Sequence, residues 1–249
     1  MSVTSAVKAT VLNILKKYGY YLTRRPAAGG SESILGSFPP YDKLNTIGSR
    51  SSYFIHDGYV HRDKPQYYDD THSSDDGQDE VYRFAKEIAD QYDLKSVIDI
   101  GCGSGYKLLK YFRNHATIGL DVPETCAFLH KRYPNRQWAV SDFTAVATPK
   151  ADLVITSDVI EHVPDPDALL QYILRIAPRY VVLSTPDRNL FRVGTHDGPP
   201  SNPTHLREWS MAELHTYLSV YFEIDEHFIS FASQATQCVL ARPRTAGVS

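Results

Sequence analysis

The sequence predicts an α/β fold: a doubly wound, mostly parallel seven-stranded sheet with an antiparallel last strand, preceded by an N-terminal helical and hairpin extension. Three observations carry this prediction. Short apolar runs alternate with helical patterns from residue 80 onward, a glycine-rich turn directly follows the first run, and two strand-like segments close the chain. Alternating strands and helices form parallel sheets with helices on both faces.

The individual elements follow from the spacing of apolar residues. Short apolar runs predict strands at 96–100, 116–120, 151–156 and 180–184, and a third strand ends before Asp142. Helical spacing predicts helices from residue 80 and near 105–113, 124–132, 166–177 and 211–220. The segments 222–230 and 237–241 are close in sequence, so we expect an antiparallel pair at the sheet edge.

Residues 1–79 are predicted to form an extension, and residues 80–249 the main domain. An amphipathic stripe at 4–18 predicts a helix that packs on the domain, joins a homodimer or lies on a membrane surface. Residues 26–50 form a connector rich in Gly, Ser and Pro. Asp57-Gly58 predicts a hairpin over 53–62, because both central residues of a type I′ turn need positive φ. The acidic segment that follows is a lid or an exposed loop.

Composition excludes several classes of protein. The 249 residues are 42% hydrophobic and 22% charged, with a net charge of -3, so we expect no nucleic-acid partner. Three widely spaced cysteines favour neither a disulfide framework nor a zinc–cysteine site. No apolar run is long enough to span a membrane, and lysines interrupt the N-terminal apolar positions. We therefore expect a cytoplasmic protein.

The first strand runs directly into a glycine loop, Asp99 to Gly105, with the sequence DIGCGSG. Its three glycines allow a sharp turn and a close approach to a ligand. A dinucleotide fingerprint needs a further glycine where Tyr106 stands, so the spacing argues against a dinucleotide.

Acidic residues follow the next two strands. Asp121 ends the second strand, where a carboxylate can accept both hydroxyls of a ribose. Asp142 and Phe143 follow the third strand and offer an acceptor for an exocyclic amine and an aromatic face for a base. The order of these features predicts a nucleoside site along three successive strands.

These motifs resemble those of class I S-adenosylmethionine-dependent methyltransferases, over about residues 80 to 241. The resemblance implies a Rossmann-like fold and S-adenosylmethionine as cofactor. It also implies that Asp121 binds the ribose, that Asp142 and Phe143 bind the adenine, and that Asp158 borders the cofactor. The methionine part would be held by Asp99, Gly101, Cys102, Gly103 and Gly105.

A cluster of polar residues, Asp158, Glu161 and His162, follows the fourth strand. Ligands of open α/β sheets bind beyond the carboxyl ends of the strands, so this cluster is a candidate catalytic site. Three interpretations remain: a structural turn, a general base at His162, or a site for a divalent cation such as Mg, Mn or Zn. The long segment after the fifth strand brings His205 to the same crevice.

The pattern D-x-x-E-H followed by H-x-x-E-W also resembles small-RNA 3′-terminal 2′-O-methyltransferases, and the first part resembles ubiquinone-pathway O-methyltransferases. The resemblance implies that Asp158, Glu161, His162 and His205 bind a metal. This chain has Asp where both families have Glu. The adjoining Ser210 and Glu213 predict a capping box at a helix start.

The acceptor is predicted to be small and neutral, because no basic groove is evident. A sugar, a glycan precursor or a secondary metabolite fits, and we expect methylation of a hydroxyl group. Tyr67, Tyr68, His196 and Arg207 are candidate substrate contacts. The alternatives are an N-methyltransferase that needs no metal, and a non-catalytic module that binds S-adenosylmethionine.

Overall fold

A computed structural model describes residues 53–64, 66–72, 78–145, 148–191 and 197–244. The strands are β1 (Ser96–Ile100), β2 (Ala116–Asp121), β3 (Gln137–Val140), β4 (Leu153–Ser157), β5 (Tyr180–Pro186), β6 (Phe222–Phe231) and β7 (Thr236–Pro243). The α-helices are α1 (Asp79–Gln91), α2 (Tyr106–Tyr111), α3 (Pro123–Arg132), α4 (Pro166–Ile176), α5 (Arg188–Phe191) and α6 (Met211–Leu218). A 3-10 turn, Ile160–His162, follows β4, and a second, Ala232–Gln234, precedes β7.

The seven strands form one sheet in the order β3-β2-β1-β4-β5-β7-β6. Strands β1 to β5 are parallel, and β7 runs antiparallel to both β5 and β6. The predicted fold and the antiparallel pair at the edge are confirmed. The strand order reverses between β1 and β4: β2 and β3 lie on one side of β1, and β4 and β5 lie on the other. At such a switch point, a crevice opens beyond the carboxyl ends of β1 and β4. The glycine loop and the segment after β4 therefore meet at one edge.

Apolar side chains cover both faces of the sheet. Neighbouring residues of β1 point to opposite sides, as the twofold period of a strand requires: Val97 packs in one core layer and Ile98 in the other. All five residues of β4 are buried, which explains why its sequence is a continuous apolar run rather than an alternating one. Helix α4 begins at Pro166, and the Asp165 side chain accepts the Ala168 N–H as its N-terminal cap.

The hairpin prediction for residues 53–62 is wrong. A turn occurs at Asp57-Gly58, but of these two residues only Gly58 has positive φ, and no strand lies on either side of the turn. The backbone N–H of Val60 donates to Asp197 at 2.6 Å and that of Arg62 to Leu206 at 2.7 Å. The segment therefore pairs with the long connection after β5 instead of with itself. Contacts distant in sequence satisfy its donors, and a local turn signal does not reveal them.

The predicted capping box is confirmed, because Ser210 and Glu213 exchange both hydrogen bonds at the start of α6. The helix predicted at 4–18 and the connector at 26–50 lie outside the described residues. No helix within the described ranges has the length and hydropathy that a membrane span requires.

Candidate active site

The glycine loop turns sharply between β1 and α2. Gly101, Gly103 and Gly105 all have positive φ, at 74°, 50° and 68°, which an L side chain adopts at a cost. The Gly101 N–H donates to Leu120 at 2.7 Å and ties the loop to β2. A Cβ at Gly101 would collide with the side chain of Val159. The loop therefore packs directly against the turn that follows β4.

Asp99 is fully buried in β1, immediately before this loop. The Tyr82 hydroxyl on α1 donates to its two carboxylate oxygens, at 3.1 and 2.9 Å. Burial raises the pKa of Asp99 to about 7, and the hydrogen bond from Tyr82 opposes that rise. No sequence pattern pointed to Tyr82, which lies among the buried residues of α1 and resembles an ordinary core residue.

The predicted ribose and adenine residues lie at the carboxyl ends of β2 and β3. Asp121 accepts the N–H groups of Gly103 and Val122, each at 2.8 Å, and burial raises its pKa. Asp142 is exposed and accepts the backbone N–H and hydroxyl of Thr144. Phe143 is half-buried, with its ring 5.7 Å from that of Tyr172. Cys102 lies buried within the loop.

Residues 66–72, here called the strap, cross the glycine loop and the turn after β4. The Tyr67 hydroxyl lies 3.4 Å from Thr125 Oγ1 on α3, and the Asp70 carboxylate occupies the space above Gly103. The Tyr68 ring stacks on that of His162, with the centroids 5.8 Å apart and the planes 13° apart. The strap thus contacts both the predicted cofactor loop and the predicted catalytic turn.

Asp158 lies at the end of β4 with a φ of 53°. Its carboxylate accepts the Ser184 hydroxyl at 2.8 Å and the Gln78 side-chain amide at 3.0 Å. Its own N–H donates to the Ser184 carbonyl at 3.0 Å. These bonds fix Asp158 between β5 and the start of α1.

Glu161 is fully buried in the 3-10 turn. The Thr185 hydroxyl donates to its Oε2 at 2.9 Å, whereas Oε1 has no hydrogen-bond partner among the described residues. Burial, and then the negative charge of Asp158, raise the pKa of Glu161 to about 8. A buried carboxylate oxygen without a donor is unfavourable, so this position fits a bound cation or proton.

His162 and His205 each use Nδ1 in a hydrogen bond with an acceptor oxygen. Nδ1 of His162 lies 2.9 Å from the Thr204 carbonyl, and Nδ1 of His205 lies 3.0 Å from Glu208 Oε1. Both partners only accept, so each Nδ1 carries the proton and each Nε2 keeps its lone pair. Burial lowers the pKa of His162, which favours this neutral form.

The side-chain amide of Asn202 agrees with this assignment for His205. Its oxygen accepts the N–H and hydroxyl of Thr204, so its nitrogen is the donor that lies 3.0 Å from His205 Nε2. Glu208 is fully buried, and it orients the His205 ring through Nδ1. Sequence patterns predicted no role for Asn202 or Glu208, although the H-x-x-E spacing was a signal for Glu208.

Three of the four predicted metal ligands come together. Glu161, His162 and His205 each offer one ligand atom, and these atoms lie within 4.8 Å of one another. Asp158 does not belong to this group, because its carboxylate faces Ser184 and Gln78. The resulting donor set, two imidazoles and one carboxylate, occurs at zinc and other transition-metal centres.

Two other residues, Arg207 and His196, were predicted to contact the substrate. The Arg207 side chain is buried and donates to the carbonyls of Val163 and Pro164, each at 3.0 Å. Its guanidinium also lies 4.3 Å from the Tyr53 ring centroid. Arg207 therefore holds the residues that directly follow the 3-10 turn. His196 lies outside the described residues. Tyr67 and Tyr68 lie exposed on the strap, and their contact with the acceptor stays a prediction.

This chain is similar in sequence and fold to known methyltransferases. A family model described as a methyltransferase domain matches residues 74–235. A probable S-adenosylmethionine-dependent methyltransferase from two strains of Mycobacterium tuberculosis is 29% identical over 153 residues, or 59% of this chain and 53% of that protein. The chain thus spans about half the length of the curated relatives it matches.

Solved structures share the fold at low sequence identity. The methyltransferase domain of bacterial CtHen1-C has a TM-score of 0.54 at 18% identity, covering 68% of this chain and 99% of that one. The N-methyltransferase NodS from Bradyrhizobium japonicum WM9, in complex with S-adenosyl-L-homocysteine, has a TM-score of 0.53 at 14% identity, covering 70% and 90%. With the family model matching well over half of its residues, this chain belongs to the class I S-adenosylmethionine-dependent methyltransferases.

Proposed function

We propose that this protein transfers the methyl group of S-adenosylmethionine to a hydroxyl group of a small neutral acceptor, such as a sugar, a glycan precursor or a secondary metabolite. The observation that carries the proposal is the cluster of Glu161, His162 and His205 beside the glycine loop. An alcohol is a poor nucleophile until its proton is removed or its pKa is lowered. Two neutral imidazoles beside a buried carboxylate can serve either purpose.

The strap supports an acceptor with a flat or ring-shaped face. The Tyr68 side chain is 54% exposed and stacks on His162, so it offers an aromatic plane at the mouth of the crevice. Tyr67 is 59% exposed beside it. Aromatic planes bind the apolar faces of rings and tolerate hydroxyl groups at their edges. The net charge of -3 does not favour a polyanionic acceptor.

The residues present fit a divalent cation. Glu161 Oε1, His162 Nε2 and His205 Nε2 would hold it: the carboxylate oxygen lacks a donor, and the cation would replace the Asn202 amide as the partner of His205 Nε2. Such a cation lowers the pKa of a bound hydroxyl group. Imidazole ligands suit Mn²⁺ or Zn²⁺ better than Mg²⁺, which prefers oxygen ligands and keeps much of its water.

The same residues also act as a base in the absence of metal. His205 is the better oriented of the two histidines to act as the base, because the buried Glu208 carboxylate lies 3.0 Å from its Nδ1 and fixes the ring. The acceptor hydroxyl takes the place of the Asn202 amide at His205 Nε2, and its proton passes to that nitrogen as the oxygen attacks the methyl carbon in line with the departing sulfur. Positioning the two reactants supplies most of the rate enhancement.

A thermal melt with added ligands tests the proposal. Chelator-treated protein is melted with S-adenosylhomocysteine, alone and with Mg²⁺, Mn²⁺ or Zn²⁺, because any ligand specific for the folded state raises the melting temperature. We expect the nucleoside to stabilise the protein and Mn²⁺ or Zn²⁺ to add a further increase. Glu161→Gln should remove the increase due to metal.

Asp158→Asn is the matched control, since Asp158 lies outside the three-ligand group and the variant should retain the metal effect. Methyl transfer is then measured with panels of hydroxyl and amine acceptors. Transfer to amines alone, undiminished by chelation or by His205→Gln, would contradict the proposal and favour the N-methyltransferase alternative.

A further inference from the structure

We propose that Asp70, on the strap, binds the α-ammonium group of the methionyl part of the cofactor. The inference deepens the proposed function and rests on its use of S-adenosylmethionine. It adds to the glycine-loop site a residue from outside the matched family segment, which begins at residue 74. The order of the chain does not suggest this role, because Asp70 precedes helix α1 and the whole sheet.

The Asp70 carboxylate lies directly against the glycine loop. A Cβ at Gly103 would collide with both carboxylate oxygens of Asp70, so the carboxylate lies on the bare backbone that the glycine loop presents. Glycines in such loops let a ligand approach the main chain closely. The Asp70 carboxylate thus lies where a ligand close to the Gly103 backbone would contact it.

The charged groups around the glycine loop also favour a positively charged group beside Asp70. Three carboxylates, those of Asp70, Asp99 and Asp121, surround the loop, and burial raises the pKa of each. Lys107, which is 6% exposed, is the cation whose charge favours ionisation of Asp70 and Asp99. The α-ammonium group would place a positive charge beside the Asp70 carboxylate and favour its ionised form.

A local side-chain turn in the strap positions Asp70. Asp69 Oδ1 accepts both the N–H of Thr71, at 2.9 Å, and its hydroxyl, at 2.5 Å. This side-chain turn fixes the backbone on both sides of Asp70 and directs the intervening carboxylate inward. Asp69 remains exposed while Thr71 is buried. Two adjacent aspartates therefore have different roles, one shaping the turn and the other facing the loop.

Binding measurements with two nucleosides test the inference. S-adenosylhomocysteine carries the ammonium and carboxylate groups, whereas 5′-methylthioadenosine shares its adenosine and sulfur but lacks both. Calorimetry compares the native protein, Asp70→Asn and the control Asp69→Asn, whose side-chain oxygen can still accept from Thr71. For Asp70→Asn we expect the Kd of S-adenosylhomocysteine to rise about tenfold or more, as for loss of one charge-assisted hydrogen bond.

The same variant should bind methylthioadenosine with an unchanged Kd, and Asp69→Asn should bind both nucleosides like the native protein. Equal weakening of both nucleosides by Asp70→Asn would overturn the inference, because it would indicate a general distortion of the pocket. Unchanged binding of both would also overturn it, while leaving the proposed function intact. Native protein that binds neither nucleoside would contradict the cofactor assignment itself.

Discussion

Replacing Asp99 with Asn tests whether the cofactor loop contains a destabilising buried carboxylate. Asp99 is fully buried, and burial raises its pKa from an ordinary value of 3.8 to about 7. Between these two pH values the folded protein holds a proton that the unfolded chain has already released. The native state therefore binds more protons, and the free energy of unfolding falls as the pH rises through this window. Below and above it, Asp99 adds no further pH dependence.

The size of the effect follows from the same two values. Each pH unit between them corresponds to about 1.4 kcal/mol, so the free energy of unfolding should fall by about 4 kcal/mol from pH 4 to pH 7 on account of Asp99. Asn has no charge to desolvate, and its oxygen can still accept the Tyr82 hydroxyl. Its unpaired amide N–H groups cost about 1 to 3 kcal/mol, but that cost does not vary with pH.

Urea unfolding at several pH values, from 4 to 8, measures the difference between the two proteins. We expect Asp99→Asn to gain stability relative to the native protein as the pH rises, and to bind S-adenosylhomocysteine more weakly. Tyr82→Phe should act in the opposite direction, because it removes a hydrogen bond that lowers the pKa of Asp99. Parallel pH profiles for native protein and Asp99→Asn would refute the reasoning.

Three further predictions concern the loop, the turn after β4 and the strap. Gly101→Ala should destabilise the protein by about 1 to 3 kcal/mol and weaken cofactor binding, because the new Cβ meets Val159 at positive φ. Gly58→Ala is the control: Gly58 has positive φ but open space around it, so this variant should bind the cofactor like the native protein. Equal losses of cofactor binding in the two variants would contradict a role for the contact with Val159. Arg207→Lys should lower the free energy of unfolding in urea by about 1 to 3 kcal/mol, because the paired hydrogen bonds from the buried guanidinium to two carbonyl groups are lost. An unchanged urea midpoint would contradict this prediction. Tyr68→Ala should change stability by less than about 0.5 kcal/mol and raise the KM for the acceptor, while the Kd for S-adenosylhomocysteine stays the same.

The sequence alone determined the sheet and the cofactor loop. Strand runs, helical spacing and the glycine turn depend on neighbours within a few residues, so the local pattern carries them. The same holds for the capping box of Ser210 and Glu213, in which the residues that bond are three positions apart. The order of Asp99, Asp121 and Asp142 along successive strands also follows, because parallel strands bring their carboxyl ends to one edge.

Only the tertiary structure decided which of the predicted polar residues face one another. It grouped Glu161 with His162 and His205, and it directed Asp158 to Ser184, a partner on the neighbouring strand. It also brought Asp70 onto the glycine loop from a segment that sequence patterns described only as acidic. These contacts join parts of the chain that are distant in sequence, and their geometry depends on packing across the crevice. No local pattern specifies that packing, which is why the sequence predicted the pocket and the structure assigned the side chains within it.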